Sequence, residues 1–261
     1  LVRMAEAPGW AGLLEEVRET DYAEPLAGVQ VPEQAAPAVA TVLQARTRLV
    51  EHLAVDPAPF HVLASQDDFY NLKALFAARA AGAPANGLRY GGRVDPQMLQ
   101  ECLREQRPLP PPLDDAWRAA AADYEQHRSL ARAEMVVDRA FVGHLQARFD
   151  ASGVPFLAGF AAHYADLAKL GFVLRWTWWQ ANGPACERAA GRDRTFDPAL
   201  LPAGGTLGTA LLTALAGEGA ERVVAALQYT PYGALLRDVA AEGGGAEDGA
   251  AWVFEKRADD F

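Results

Sequence analysis

The sequence is poor in the residues that build disulfide frameworks and structural metal sites. Its 261 residues contain two cysteines, Cys102 and Cys186, and five scattered histidines. Two cysteines this far apart exclude a disulfide framework and a zinc cluster of the usual ligand spacing. We therefore expect a protein of a reducing compartment without a structural metal.

Motifs of phosphate and covalent chemistry are also missing. The chain contains no Gly-x-x-x-x-Gly-Lys-Ser/Thr loop, no His-Glu-x-x-His, no Cys-x-x-Cys and no Gly-x-Ser-x-Gly. These absences exclude the common nucleotide-loop, zinc-protease, dithiol and serine-hydrolase classes. The sequence predicts no cofactor.

No apolar stretch is free of charge over the length of a bilayer, and no signal peptide is visible. The longest candidate, residues 156–180, contains His163, Asp166, Lys169 and Arg175. Each charge at mid-membrane would cost roughly 2.5–3.5 kcal/mol, so we predict a long core helix instead of a direct membrane span. The net charge of −10 argues against nucleic acid as a partner.

Helical periodicity dominates the sequence, and proline- and glycine-rich breaks divide it. No stretch shows convincing strand alternation. The pattern predicts an all-α fold with about nine to eleven helices.

The most informative stretch runs from Asp67 to Arg79 and predicts an amphipathic helix. Asp67 or Asp68 is expected to cap its first turn, and Gly82 to end it. Four apolar residues share one face at helical spacing: Phe69, Leu72, Leu75 and Phe76.

Several short features recur in the same order. The Asp68 helix recurs at Asp166, with Lys73 and Arg175 as later basic residues. Three other pairs are Thr20-Asp21-Tyr22 with Thr230-Pro231-Tyr232, Gly91-Gly92-Arg93-Val94 with Gly204-Gly205-Thr206-Leu207, and Glu134/Asp138 with Glu255/Asp259. Together they predict a helical unit of roughly 100–120 residues that is used more than once.

Two acidic pairs have a chemical interpretation beside a structural one. Asp67 and Asp68 could hold magnesium for a diphosphate substrate, as in all-α prenyl-handling enzymes, but we favour a helix cap. Glu134 and Asp138 share a helix face and could act as general acid and base, but a solvated face is favoured.

Aromatic and basic residues leave similar alternatives. Trp176, Trp178 and Trp179 could form a stacking platform, although core or interface packing is favoured. His163 is expected to be a packed helix residue. Lys169, like the other basic residues of the two Asp helices, either pairs with nearby acids or reaches a partner.

The order of these motifs resembles the AC39-like family, the C-type subunits of V/A-type ATPases, whose eukaryotic relatives are the d-type subunits of the vacuolar ATPase. The resemblance covers about Leu13 to Phe261 and the individual motifs are short. It is carried by Asp68-x-x-Asn71-Leu72-Lys73, Gly91-Gly92, residues 134–141 from Glu134 to Phe141, Asp166-Leu167-Ala168-x-Leu170 with Arg175, and the stretch from Leu201 to Tyr232.

The resemblance implies a funnel of three similar helical modules with pseudo-threefold symmetry, here residues 1–87, 88–200 and a partial 201–261. It implies a non-catalytic central-stalk component, cytoplasmic and peripheral to the membrane. This component would link shaft subunits of the D/F type to the proteolipid ring, and the isolated chain would be a monomer. Ion type and the direction of ATP turnover stay open.

Because they lie on the two repeated Asp helices, six residues are expected to bind partners: Asp68, Asn71, Lys73, Asp166, Lys169 and Arg175. Lys169 stands where the family has asparagine, so the role of that asparagine is not carried over. We expect a fragment or a shortened member, without the first residues and the last helices of the family. The rival hypotheses are a magnesium enzyme acting through Asp67 and Asp68, and a generic helical adaptor.

Overall fold

A computed structural model of the chain describes residues 7–182 and 196–243. In this part of the chain the secondary structure is entirely helical, which confirms the all-α prediction. Four predicted features lie outside the described residues: Cys186, the Glu255/Asp259 pair, the helix proposed from Trp252 to Phe261, and the side chains of Trp178 and Trp179.

The chain divides into two compact units, Leu1–Ala119 and Ala120–Phe261. Helix α6, Leu113–His127, contains the boundary. The earlier helices of the first unit are α1 (Gly9–Val17), α2 (Ala23–Leu26), α3 (Ala35–Leu53), α4 (Ala58–Ala81) and α5 (Pro96–Arg104), with a 3₁₀ turn at Pro32–Gln34.

In the part of the second unit that the structure describes, two long helices are followed by three short ones. Its helices are α7 (Leu130–Ala151), α8 (Pro155–Asn182), α9 (Thr209–Leu215), α10 (Ala220–Leu227) and α11 (Gly233–Gly243), with a 3₁₀ turn at Pro198–Leu200. Helices α7 and α8 pack against each other along their length.

Helix α4 begins earlier than predicted, which corrects the interpretation of its acidic pair. It starts at Ala58, whose N–H is accepted by the Asp56 carboxylate at 2.9 Å. Asp67 and Asp68 therefore lie in mid-helix and cannot cap the first turn. The predicted end is confirmed, because Gly82 adopts the left-handed conformation that closes a helix.

The predicted apolar face of α4 is confirmed, whereas apolar residues at the start of α8 are exposed. Phe69 and Leu72, like the other two members of their set, are buried. In α8, by contrast, Phe156 is 77 % exposed and Phe160 is 37 % exposed. The buried face of α8 instead includes Leu170, which is fully buried together with Phe172 and Val173.

Among the helices of residues 7–182 and 196–243, none combines the length of a bilayer span with sufficient apolarity.

Candidate functional site

The first feature of interest is a buried carboxylate that holds a loop against the middle of α4. Asp68 is 2 % exposed. Its two oxygens accept the backbone N–H groups of Arg93, at 3.1 Å, and Val94, at 3.0 Å. Both donors belong to the connection between α4 and α5, so this side chain fixes that loop on the helix.

Asn71, one helical turn after Asp68, fixes an earlier point of the same loop. Its side-chain amide donates to the carbonyl of Arg89 and accepts the N–H of the same residue, both at 2.7 Å. The Arg89 side chain lies 3.3 Å from the Asp67 carboxylate and stacks over the Tyr70 ring. Asp67 is thus engaged in an ion pair.

The glycine pair of this loop is explained by how closely the loop approaches the helix. A Cβ atom added to Gly92 would collide with Oδ1 of Asp68, and one added to Gly91 would collide with Oδ2 of Asp67. Only glycine lets the backbone approach the two carboxylates this closely.

The second unit repeats this arrangement on α8. Asp166 is fully buried and accepts four donors. They are the N–H and hydroxyl groups of Thr206, the N–H of Leu207 and the hydroxyl of Tyr232, at 2.7–3.1 Å. A Cβ atom on Gly205 would collide with Oδ1 of Asp166, as at Gly92.

Lys169 takes the position on α8 that Asn71 takes on α4. It is 2 % exposed, and its ammonium group donates to the carbonyls of Gly204 and, at 3.0 Å, Leu207. The same group lies 3.7 Å from the Asp166 carboxylate. Lys169 therefore performs, with a charge, the loop-holding task of an asparagine.

We call each arrangement an Asp–loop clamp. The first clamp consists of Asp68, Asn71 and loop residues 89–94; the second consists of Asp166, Lys169 and loop residues 204–207. In both, a glycine packs on the aspartate and the next two backbone N–H groups donate to it. The two clamps share this hydrogen-bonding pattern, although Gly205 has a φ of +70° and Gly92 does not have a positive φ.

The two carboxylates differ in acidity. Burial raises the pKa of Asp68 to about 6, although the N–H groups of Val94 and Arg93 oppose this and Asp67 adds to it. Burial also acts to raise the pKa of Asp166, but the hydrogen bonds from Thr206, Leu207 and Tyr232 outweigh it and the pKa is lowered.

Tyr232 extends the second clamp through an aromatic stack. Its ring stacks on His163 with centroids 5.3 Å apart, and its oxygen lies 3.2 Å from Nδ1 of His163. Because the Tyr232 hydroxyl donates to Asp166, Nδ1 is the donor in the His163 contact. This agrees with the packed role predicted for His163.

The other predicted site residues lie outside the clamps. Lys73 is half-buried on α4, and Arg175 pairs with Asp138 at 3.0 Å and lies over the Phe172 ring. The solvated face predicted around Glu134 and Asp138 is wrong, because both are partly buried. Asp138 bonds to α8, and neighbouring Arg132 bridges two other carboxylates, Asp123 and Asp197.

Trp176 packs in the interior of the second unit, edge-on to Phe196 with ring centroids 5.5 Å apart. A small pocket beside it includes Arg132, Glu134 and Arg175 in its lining. Within the described residues, no group of three or more acidic, histidine or cysteine side chains is arranged to hold a metal ion.

A second predicted repeat also shares its local geometry. Thr20 and Thr230 each follow the last turn of a helix and donate both N–H and hydroxyl to the carbonyl three residues earlier, Val17 or Leu227. Each threonine carbonyl then accepts the N–H of the residue three positions later.

Sequence reasoning paired the two aspartates and the two glycine loops but did not bring them together. The available signal was a glycine pair in the loop after each helix that contains an Asp-x-x-polar pattern. Such a pair indicates that the loop backbone approaches another group closely. The partner-binding assignment of the six residues stays a prediction, and four of them lie in the clamps.

Comparison with known proteins identifies the family. The model of the family described as ATP synthase (C/AC39) subunit matches residues 1–261, the whole chain. A search of curated proteins gave no match. The family is a non-catalytic component of V/A-type ATPases, and nothing supports the magnesium-enzyme alternative. The chain therefore belongs to the ATP synthase (C/AC39) subunit family and is a structural part of a V/A-type ATPase, not an enzyme by itself.

Proposed function

We propose that this chain couples the rotor shaft of a V/A-type ATPase to the proteolipid ring on the cytoplasmic side of the membrane. The observation that carries the proposal is the family match over residues 1–261. Subunits of the D/F type are the proposed shaft partners. Torque would pass through the chain, while ATP chemistry belongs to other subunits.

The clamps support this role because a coupling part must keep its loops in place under load. Each clamp fixes an interhelical loop to the middle of a long helix through buried hydrogen bonds. We assign Asp68, Asn71, Asp166 and Lys169 an indirect part in partner binding: they hold the loops that face the partners.

The repeated clamps also support a modular architecture. A funnel of three modules with pseudo-threefold symmetry remains our proposal, as do the module boundaries after residues 87 and 200. The clamp contacts cross both boundaries, since Asp68 binds loop residues after 87 and Asp166 binds loop residues after 200. Each clamp would therefore join a helix of one module to the first loop of the next.

Reconstitution tests the proposal directly. The soluble motor is assembled with its shaft and then mixed with membranes that contain the ring, with and without this chain. We expect ATP hydrolysis by the soluble motor to be the same in both cases, and ATP-driven ion transport to require the chain. Equal ion transport without the chain would contradict the coupling role.

A charge reversal identifies direct contacts. Lys73→Glu changes a half-buried side chain outside the clamps, whereas Lys169→Glu would place a carboxylate beside buried Asp166 and disrupt the fold. We expect Lys73→Glu to weaken motor–ring association, and Arg104→Glu, at an exposed position of α5, to serve as the control. Equal association of both variants would remove Lys73 from the contact surface.

A further inference from the structure

The two clamps differ in how well their buried carboxylate is compensated. Asp166 accepts four donors and has a buried ammonium group, that of Lys169, at 3.7 Å. Asp68 accepts two backbone N–H groups, and the helix position equivalent to Lys169 holds the neutral amide of Asn71.

The charges around Asp68 do not replace that missing cation. On its own helix, Asp67 is a like charge and is itself paired with Arg89. From the loop, Arg93 attracts Asp68, but its side chain is 42 % exposed and its guanidinium also lies 3.5 Å from the carboxylate of Glu51 of α3. Glu51 in turn lies 3.4 Å from His61 of α4. A buried carboxylate with an exposed, shared counter-charge keeps much of its desolvation penalty.

We propose that the first clamp opens easily and that the second stays closed. At neutral pH the loop of residues 89–94 separates from α4 at a lower free-energy cost than the loop of residues 204–207 separates from α8. The chain thus contains two clamps with the same pattern of backbone hydrogen bonds but different strength. This inference concerns the chain itself and does not depend on its partners.

The pH response of the two clamps follows from the same difference. When the first loop opens, water reaches Asp68 and its carboxylate returns toward ordinary acidity. Protonation therefore favours the closed state of the first clamp, and mild acid tightens it. In the second clamp the closed state favours the ionised carboxylate, so the clamp stays intact at mildly acidic pH and loosens only in stronger acid.

Amide hydrogen exchange tests the proposal, because each clamp contains its own reporters. The N–H groups of Arg93 and Val94 donate to Asp68, and those of Thr206 and Leu207 donate to Asp166. At pH 7.5 we expect protection factors about tenfold or more lower for the first pair. Equal or higher protection of the first pair would overturn the proposal.

A core amide in each unit separates loop opening from unfolding. Leu72 and Leu170 are fully buried on the two clamp helices. Arg93 should exchange faster than Leu72 by about tenfold or more. If the amides of Arg93 and Leu72 exchange at the same rate, the loop opens only when the whole unit unfolds. That result would refute the proposal that the first clamp opens easily.

Lys169→Asn gives the second clamp the neutral partner of the first. We expect the protection of Thr206 and Leu207 to fall by about tenfold, while that of Arg93 and Val94 stays unchanged and shows that the chain is folded. Unchanged protection of Thr206 and Leu207 would show that the cation does not set clamp strength, which overturns the proposal.

Lowering the pH completes the test. Between pH 7.5 and 5.5 the protection factors of Arg93 and Val94 should rise, and those of Thr206 and Leu207 should stay constant. His61→Gln should retain this response and Asp68→Asn should abolish it. The proposal would be overturned if the protection of Arg93 and Val94 fell at lower pH, or if its rise were lost in the His61→Gln variant.

Discussion

Asp68 and Asp166 lie in the interior of helices, where the backbone N–H groups already donate to helix carbonyls and are not available to a carboxylate. Each is held there by N–H groups from a loop that is distant in sequence. The sequence pattern predicted that both residues matter, but a helix cap explained Asp68 equally well. The two interpretations differ in whether the loop lies against the helix in the folded protein. Local sequence propensities do not contain that information.

Alanine at the two aspartates should affect stability unequally. Asp166→Ala leaves the buried Lys169 charge and several donors without their acceptor, so we expect a loss of about 3–5 kcal/mol of unfolding free energy. Asp68→Ala leaves two N–H donors but also removes a poorly compensated charge, so we expect about 1–3 kcal/mol. Urea unfolding at pH 7.5 measures both, and a larger loss at Asp68 would contradict this account.

Alanine at the packed glycines should be destabilising because the carboxylates leave no room. Gly92→Ala should cost about 1–3 kcal/mol from overpacking. Gly205→Ala should cost more, since its φ of +70° is also unfavourable for alanine. Gly159→Ala, at an exposed position of α8 with nothing within 4 Å of the added Cβ, is the control and should stabilise by about 0.5–1 kcal/mol. Thermal melts that show equal effects at all three positions would argue against close packing.

At the scale of elements, the end of α4 was predicted better than its start. Gly82 ends α4 as expected. The start of α4 was missed, since the conspicuous acidic pair hid the weaker signal at Asp56. In α8, apolar residues line more than one face, so periodicity alone could not identify the buried one.

The pair α7–α8 should carry much of the stability of the second unit. Phe149 of α7 is 1 % exposed and packs near Phe160 of α8, with ring centroids 5.9 Å apart. Phe149→Ala should therefore lower the unfolding free energy by about 3–5 kcal/mol. Phe156→Ala, at the exposed start of α8, is the control and should change it by less than about 0.5 kcal/mol. Comparable urea midpoints for the two variants would refute this packing.

At the scale of the whole molecule, the order of short motifs predicted the family, and the match over residues 1–261 confirms it. The motifs were individually weak, but their order reflects how loops and helices must meet in each unit. The funnel arrangement of three modules came only from the resemblance and stays a prediction, because it depends on surfaces that the motifs do not describe.

The stability of the whole chain should respond to pH through Asp68. Its pKa is about 6 in the folded protein and lower when unfolded, so the folded state binds the proton more tightly. The contribution of Asp68 to unfolding free energy should rise as pH falls through about 6, until the unfolded carboxyl also protonates. Urea unfolding between pH 7.5 and 5 measures this, with Asp68→Asn as the comparison. An identical pH profile for the variant would assign the effect elsewhere.

The second clamp lies near the middle of α8, which limits the length of helix on either side of it. The helix has 28 residues. Asp166 divides it into arms of about 17 Å and about 24 Å at 1.5 Å per residue. A helix of this length fastened only at one end would extend about 40 Å beyond the fastening. With the clamp at Asp166, no residue of α8 lies more than about 24 Å along the helix from a point tied to a loop.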